Sequence, residues 1–310
     1  MNPLKTLAMS QSARFFNGRK QSLWAIVRQA ASLDDSVRCL QTLLPNHRTI
    51  DAQVVEELLD ELKHAGLVPA GIITAPDRPK GRGLAIAPSR VKTWARENKI
   101  LVLQPEELEI DADVFVVASY GVILSKDILA LPRHGTLNVH PSLLPKYRGA
   151  TPIESQILAE EKEIGVSIMV MDEEMDHGAI LAQKRVENTK IQKARELRII
   201  LAEIGGKLLA EVMQKWVEGK IEAKPQDDSQ ATYTKKLAKS DGEINLSDNP
   251  YKNFLKIRAF DGGIGTYFSV NGTRIVIKDA DFVGDKLTIT RVVPEGKREM
   301  SYEEFLRGVK

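Results

Sequence analysis

The chain has 310 residues, of which 43% are apolar and 28% are charged, and its formal net charge is +2. This length suffices for two domains, and the composition is that of a globular rather than a disordered or fibrous protein. A single cysteine excludes a disulfide framework and a cysteine-based zinc site, and no apolar run is long enough to span a membrane. A mild excess of basic residues towards both ends fits either a nucleic-acid partner or solvated surface charge.

The first fifty residues lack a clear apolar strand followed by a glycine-containing turn. Leu23–Val27 is the one strand candidate in this segment. The segment contains Arg and Ser and has no acidic residue before Asp34, a composition that also fits an organelle transit peptide. A divergent domain start or a shifted reading frame would explain the segment equally well, so its structure stays open.

From residue 51 onward, helical and strand patterns alternate. This alternation predicts an α/β fold with a Rossmann-like, largely parallel sheet. Helices are expected where apolar residues recur at helical spacing, and strands where short apolar runs lie between turn residues. The predicted helices are 51–66, 90–98, 125–131, 152–160 and 192–218, and the predicted strands are 67–74, 100–103, 114–118, 135–140, 166–171 and 179–186.

The texture of the sequence changes after residue 220. Residues 221–238 include a stretch of linker composition, and short strands are predicted beyond it at 265–270, 273–280 and 286–292. Short strands separated by turns such as Asn271-Gly272 suggest a small β-barrel of the OB type. The predicted organisation is an atypical segment 1–50, a domain 51–220, a linker 221–238 and a second domain 239–310.

One short run, TLNVHPSLLPKYRG at residues 136–149, carries the strongest chemical signal. Asn138 and His140 are two residues apart, so on a strand both side chains project from the same face. Pro141 and Pro145 then end the strand and stiffen the loop. An amide beside an imidazole can stabilise an oxyanion and move a proton, as acyl transfer requires. A polar pair that merely caps a strand end is the structural alternative.

Five segments, in order, give residues 51–310 a resemblance to the methionyl-tRNA formyltransferase family. They are 77–83, 138–145, 147–153, 175–178 and 291–300. The resemblance implies an α/β domain, a linker and a C-terminal OB-like domain that binds tRNA. It also implies transfer of a formyl group from 10-formyltetrahydrofolate to the α-amine of initiator methionyl-tRNA, without a metal. The family's opening strand and its Gly-Thr-Pro turn are not found in this sequence.

The resemblance assigns roles to individual residues. Asn138 is expected to stabilise the oxyanion, His140 to assist it and transfer the proton, and Asp176 to orient His140. His177, next to Asp176, is interpreted as a solvated loop residue. The expected folate-binding residues are Tyr120, Gly121, Ile123, Leu124, Ser142, Leu143, Leu144, Pro145 and Asp172. The expected tRNA-binding residues are Arg78, Lys80, Arg82 and Arg148, with possible extensions at Arg90, Lys92, Lys256, Arg258 and Arg274.

Two other functions stay open on sequence grounds. The chain could be a folate-dependent formyltransferase that acts on a small amine such as a sugar nucleotide. It could instead be a non-catalytic RNA-binding relative whose altered N-terminus has removed the folate pocket. We expect a monomer in the cytoplasm, or in an organelle matrix if residues 1–50 contain a transit peptide.

Overall fold

A computed structural model describes residues 39–42, 49–74, 77–80, 85–103, 112–118, 124–188 and 192–308. The helices are α1 Thr49–His64, α2 Arg90–Glu97, α3 Lys126–Leu129, α4 Pro152–Leu158, α5 Ala194–Val217, α6 Pro250–Phe260 and α7 Tyr302–Arg307. The strands are β1 Cys39–Thr42, β2 Gly71–Ile73, β3 Arg78–Lys80, β4 Ala85–Ala87, β5 Leu101–Leu103, β6 Val114–Ala118, β7 Thr136–His140, β8 Arg148–Gly149, β9 Glu163–Val170, β10 Ile180–Glu187, β11 Tyr233–Thr234, β12 Thr266–Val270, β13 Thr273–Val283, β14 Lys286–Pro294 and β15 Met300–Ser301. Within those ranges, no helix is long and apolar enough to cross a membrane.

The larger sheet has seven strands in the order β10-β9-β7-β6-β1-β2-β5. The five strands from β7 to β5 are parallel, and β9 and β10 add an antiparallel edge. The predicted α/β class and largely parallel sheet are therefore confirmed. The antiparallel edge matters for function because β9 ends beside Leu137, at the beginning of β7, and the β9–β10 connection then carries Asp176 to Asn138 and His140.

The central strand β1 corrects the expectation that the opening strand is missing. Cys39–Thr42 pairs in parallel with β6 over four residues and with β2 at Thr42. The strand thus fills the middle of the sheet, while the predicted candidate Leu23–Val27 lies outside the described residues. Its sequence, CLQT, is short and half polar, so it lacks the apolar run by which buried parallel strands are recognised.

The two faces of β6 pack against different apolar clusters. Val114 and Val116 belong to the main core, which lies against α1 and α5, whereas Phe115 and Val117 belong to a smaller cluster on the opposite face. All five residues of β6 are buried, as expected for a strand covered on both sides. The sheet therefore has an α1–α5 face and a second face, and the candidate site lies on the second.

Helix α5 lies unusually close to β7. A Cβ atom placed on Gly205 would lie 2.7 Å from Cγ1 of Val139, which is closer than real Cβ contacts. Glycine inside a helix costs about 1 kcal/mol relative to alanine, so this position trades helix propensity for close packing. The close packing fixes the strand that carries Asn138 and His140.

The C-terminal part contains a four-stranded antiparallel sheet in the order β12-β13-β14-β15. The three strands predicted there are confirmed, whereas α6 and α7 were not predicted. Helix α6 packs on β13 partly through stacked Phe254 and Phe282 rings, whose centroids are 5.3 Å apart. A separate apolar cluster fills this part, including Ile275, Val292 and Phe305.

Candidate active site

Asn138 and His140 lie on the face of the sheet opposite α5. Their neighbours along β7, Leu137 and Val139, point into the main core, so alternation places Asn138 and His140 on the other face. Both residues are buried, at 8% and 4% relative exposure. The predicted i, i+2 arrangement is therefore present in the structure. It lies between β6 on one side and the antiparallel strand β9 on the other.

Asp176 reaches this pair from the loop that joins β9 to β10. Its Oδ1 lies 3.4 Å from Nδ2 of Asn138 and 3.6 Å from Nδ1 of His140. Its Oδ2 accepts a hydrogen bond of 2.7 Å from the backbone N–H of Gly149. The structure thus brings the three predicted catalytic residues together around one carboxylate.

The loop that carries Asp176 is tightly constrained. A Cβ on Gly178 would lie only 1.8 Å from the carbonyl oxygen of Val170, so no side chain fits there. Asp176 itself has a φ of +50°, which is uncommon for a residue other than glycine. Close packing and an unusual backbone conformation together aim the carboxylate at β7.

The two ring nitrogens of His140 face different oxygens. Nε2 lies 3.0 Å from the backbone carbonyl oxygen of Tyr147, and Nδ1 faces Asp176. Because a carbonyl oxygen can only accept a hydrogen bond, Nε2 carries a proton in this geometry. Nδ1 is then the nitrogen available for proton transfer, with a carboxylate beside it to stabilise the positive charge.

Gln226, in the predicted linker, contacts the Asp176 loop directly. Its Nε2 donates hydrogen bonds to the carbonyl oxygens of Asp176 and Gly178, at 2.9 and 2.8 Å. Its Oε1 accepts two from the Arg148 guanidinium, at 3.1 and 2.8 Å. Gln226 was not predicted as a site residue, because a polar residue in a segment of linker composition gives no periodic or motif signal.

Arg148 is buried, so its expected role as a tRNA contact is wrong in this structure. Its relative exposure is 1%, and its guanidinium donates to Gln226, to Asp228 and to the hydroxyl of Tyr233. Burial disfavours the charge, but the hydrogen bonds to Asp228 and Tyr233 raise the pKa of Arg148 above its ordinary value. The charged side chain therefore ties β8 to the linker instead of facing solvent.

His177, expected to be a solvated loop residue, is partly exposed and contacts two carboxylates. Its Nδ1 lies 2.6 Å from Oδ2 of Asp172, and its Nε2 lies 3.4 Å from Oδ2 of Asp228. The hydrogen bond to Asp172 raises the pKa of His177, aided by the nearby charges of Asp172, Glu174 and Asp228. The imidazole therefore bridges the Asp176 loop and the linker.

The expected folate-binding residues fall into three groups. Tyr120, Gly121 and Ile123 lie outside the described residues, and Leu124 is buried in the smaller apolar cluster beside Phe115 and Val117. Asp172 is partly exposed and holds His177. The remaining four, Ser142, Leu143, Leu144 and Pro145, form the turn after β7. Ser142 and Leu144 are buried, and the Leu144–Pro145 peptide bond is cis.

Side chains from β9 and β10 brace that turn. Ser167 Oγ donates to the carbonyl oxygen of Ser142 and accepts from the backbone N–H of Leu144, at 2.6 and 3.1 Å. Gln183 Nε2 donates to the Leu144 carbonyl oxygen at 2.8 Å. The turn therefore has a fixed shape next to His140. Among the described residues, no group of three His, Cys, Asp or Glu side chains is placed to hold a metal ion.

The expected RNA-binding residues are placed unevenly. Arg78 and Lys80 belong to β3, which pairs with β4 in a small antiparallel hairpin, and Arg82 lies outside the described residues. Lys92 is paired with Asp77, at 2.9 Å to each carboxylate oxygen, and so anchors the start of the hairpin.

Arg90 and Arg258, two further possible extensions, are also engaged with other groups of the protein. Arg90 pairs with Glu56 at 2.6 Å, whereas Arg258 is buried and donates to the carbonyl oxygen of Gln192. The structure therefore corrects the expectation for Arg258, whose guanidinium serves packing inside the protein.

Comparison with known proteins points in one direction. The family model for formyl transferases matches residues 49–213. A methionyl-tRNA formyltransferase from Dictyoglomus thermophilum is 37% identical over 293 residues, which cover 82% of this chain and 92% of that relative.

Solved structures share the fold at lower identity. A methionyl-tRNA formyltransferase from Clostridium thermocellum has a TM-score of 0.52 at 17% identity, covering 66% of this chain and 91% of its own. An N-formyltransferase from Helicobacter canadensis, in complex with folinic acid and dTDP-3-aminofucose, has a TM-score of 0.53 at 22% identity, covering 76% and 86%. At these identities the likeness concerns the fold alone.

Proposed function

The chain belongs to the methionyl-tRNA formyltransferase family, and from this premise we propose that it transfers the formyl group of 10-formyltetrahydrofolate to the free amino group of initiator methionyl-tRNA. The amine nitrogen bonds to the formyl carbon, and the bond from that carbon to the folate nitrogen breaks. The products are N-formylmethionyl-tRNA for translation initiation and tetrahydrofolate, whose released nitrogen takes up a proton. The observation that carries the proposal is that the Asp176 carboxylate lies 3.4 Å from the Asn138 amide and 3.6 Å from the His140 ring, both buried on β7. We assign this reaction to the cytoplasm and to a monomer.

Each of the three residues has a distinct part in the proposed mechanism. The Asn138 amide donates a hydrogen bond to the formyl oxygen as negative charge develops there. His140 takes the surplus proton of the attacking amine at Nδ1, while its Nε2–H stays bound to the Tyr147 carbonyl. Asp176 stabilises the resulting imidazolium. The observed distances are slightly long for hydrogen bonds, as is common before substrate binds.

The residues around this group fit a folate. The donor supplies a formyl carbon that is already activated for attack by an amine. Leu124 and the smaller apolar cluster would supply the apolar side of a pocket for a flat aromatic ring, and Met171, directly before the Asp172–Asp176 loop, packs against this cluster. Polar backbone groups of that loop and of the Ser142–Pro145 turn would read the polar edge of the ring, together with Tyr120, Gly121 and Ile123.

The proposed RNA partner is held by two other parts of the chain. The hairpin loop with Arg78, Lys80 and Arg82 would contact phosphates near the acceptor end, since basic residues position nucleic acid mainly through its backbone. The C-terminal part, residues 239–310, would act as an OB-like domain with sequence-independent contacts through Lys256 and Arg274. The catalytic domain would comprise β1 and residues 51–220, with 221–238 as the linker. Arg148 and Arg258 are not part of this proposed RNA-binding surface, because both are buried.

Transfer of labelled formyl from 10-formyltetrahydrofolate to charged initiator tRNA tests this function. We expect the full chain to be active, Asn138→Ala to lower kcat by about 10²–10³-fold as for the loss of one oxyanion donor, and His140→Ala by about 10²–10⁴-fold as for the loss of a general base. Asp176→Asn, which keeps the shape of the side chain but removes its charge, should lower kcat by a similar factor.

The matched control is His64→Ala, because His64 is an exposed histidine at the end of α1. It should retain the activity of the unmodified chain. If the folded chain binds charged tRNA but transfers no formyl group, the proposed enzymatic function is refuted. A non-catalytic RNA-binding function would then be favoured. Transfer to a sugar-nucleotide amine in preference to tRNA would favour the small-amine alternative.

A further inference from the structure

One amide side chain of the linker contacts the backbone of the loop that carries Asp176. We propose that Gln226 is a positioning residue that holds Asp176 in register with Asn138 and His140. This inference rests on the proposed function of those three residues and adds a fourth, which does not touch the substrate. It also gives the linker a part in the reaction beyond joining two domains.

Contacts from outside the loop help to hold Asp176 in place. Asp176 has a left-handed backbone, which costs a residue other than glycine about 1–3 kcal/mol unless its surroundings enforce it. The preceding residues Glu173, Glu174 and Met175 are exposed and supply little packing. Contacts from elsewhere in the chain therefore add to the close packing of Gly178 in keeping the conformation that aims the carboxylate at β7.

Gln226 provides that support at two points of the backbone. Its Nε2 donates at 2.9 Å to the Asp176 carbonyl and at 2.8 Å to the Gly178 carbonyl. These carbonyls belong to residues two apart, on either side of His177. Binding both with one amide group fixes the local turn as well as the distance between the loop and the linker.

The orientation of the Gln226 amide is itself determined by its neighbours. Arg148 can only donate, and backbone carbonyls can only accept, so the amide oxygen must face Arg148 and the amide nitrogen must face the loop. Arg148 is immobilised in turn by Asp228 and Tyr233, at 2.7 and 3.1 Å. The positioning contact is thus built on a buried guanidinium, each of whose three nitrogens is hydrogen bonded.

Strand β8, which carries Arg148, also holds the carboxylate of Asp176. Gly149, next in sequence to Arg148, donates its backbone N–H to Asp176 Oδ2 at 2.7 Å. The backbone and the side chain of Asp176 are therefore both tied to β8 and the linker, leaving Oδ1 towards Asn138 and His140. A misplacement of about 1 Å in such a group can lower a rate by about 10²-fold.

Two substitutions of Gln226 separate its contacts. Gln226→Glu keeps the size and the acceptor for Arg148 but replaces the donor with an oxygen that repels both carbonyls. Gln226→Leu removes both contacts. For each folded variant we expect kcat to fall by about 10–100-fold, with little change in KM for the folate or the tRNA, because Gln226 acts on the geometry of reacting groups and not on binding.

The matched control makes the same two substitutions at another glutamine of the linker, Gln230. Gln230 is exposed and bonds only locally to Asp227 at 2.8 Å among the described contacts. Gln230→Glu and Gln230→Leu should therefore keep the kcat of the unmodified chain. A loss at Gln230 as large as that at Gln226 would show that the linker tolerates no change, and would overturn the specific role of Gln226.

A double variant distinguishes positioning from general destabilisation. If Gln226 acts through Asp176, then Gln226→Leu combined with Asp176→Asn should be no slower than Asp176→Asn alone. Multiplicative losses would overturn the inference, as would folded Gln226 variants with unchanged kcat.

Amide hydrogen exchange across residues 171–179 gives a readout that does not need activity, and it should rise in Gln226→Leu but not in Gln230→Leu. If the chain has no transferase activity but exchange still increases in Gln226→Leu, the contact between Gln226 and the loop is supported and the proposed function is rejected. Unchanged exchange would overturn the inference whatever the activity.

Discussion

His177 lies between two carboxylates and should make stability depend on pH. Its hydrogen bond to Asp172 raises its pKa above the ordinary value of 6.5, so the folded protein binds the proton more tightly than the unfolded chain. The resulting stabilisation is fully present below pH 6.5 and fades as pH rises through the raised pKa. We therefore expect His177→Gln to lower Tm more at pH 6 than at pH 8.5.

Thermal unfolding of both proteins at the two pH values checks this expectation. His64→Gln is the matched control, since His64 is an exposed histidine on α1. An equal change in Tm at both pH values for His177→Gln would mean that the bridge to Asp172 and Asp228 does not depend on the charge of the imidazole.

Arg148 and Asn138 illustrate what single residues reveal in the sequence. Asn138 and His140 were found because their spacing on a strand is a local property. Arg148 was misassigned because its partners Gln226 and Asp228 lie about eighty residues away, where no local pattern links them. The position of Asp176 came from the family resemblance alone, since a turn aspartate beside a glycine has no distinctive spacing.

Long periodic elements were predicted well and short ones were not. Helices α1 and α5 and strand β6 lie close to their predicted bounds, because repeated apolar residues define them. The two-residue pairing of β8 with β11, which places the linker against the site, could not be predicted because tertiary contacts stabilise it. Strand β1 was not predicted for the same reason.

The β3–β4 hairpin is the element on which tRNA affinity should depend. Arg78, Lys80 and Arg82 lie on or next to it, and each phosphate contact adds to the salt dependence of binding. We expect the triple variant Arg78→Ala, Lys80→Ala and Arg82→Ala to raise KM for tRNA by about tenfold or more and to reduce the slope of log K against log salt by up to about three.

The comparison is a triple variant of Lys207, Lys215 and Lys220, which are exposed on or just after α5. Helix α5 packs against the opposite face of the sheet, so this variant removes the same charge away from the site. Equal losses of tRNA affinity in both triples would mean that net charge, rather than the hairpin, controls binding. The KM for the folate should not change in either.

A buried ion pair links two helices of the α/β part, and one of its members also contacts the end of the C-terminal helix α6. Glu154 on α4 and Arg198 on α5 are hydrogen bonded, and their side chains are 7% and 10% exposed. Arg198 also donates to the carbonyl oxygen of Asp261, the residue that follows α6, at 3.3 Å. One guanidinium therefore joins the helix after the His140 turn, the helix behind β7 and the helix of the C-terminal sheet.

Removing one partner of this pair should be far more damaging than removing both. Arg198→Met leaves the Glu154 carboxylate buried without its cation, which typically costs about 3–5 kcal/mol of unfolding free energy. The double variant Glu154→Leu with Arg198→Met should regain much of that loss, because an apolar pair needs no desolvation of charge. Denaturant unfolding measures the free energy of unfolding of the unmodified chain and of both variants.

The control is to break the exposed pair of Arg185 and Glu163, which should lower the free energy of unfolding by under about 1 kcal/mol. If Arg198→Met costs no more than that control, the contact between the two parts does not depend on this pair, and the apolar packing of α4 against α6 must hold them together.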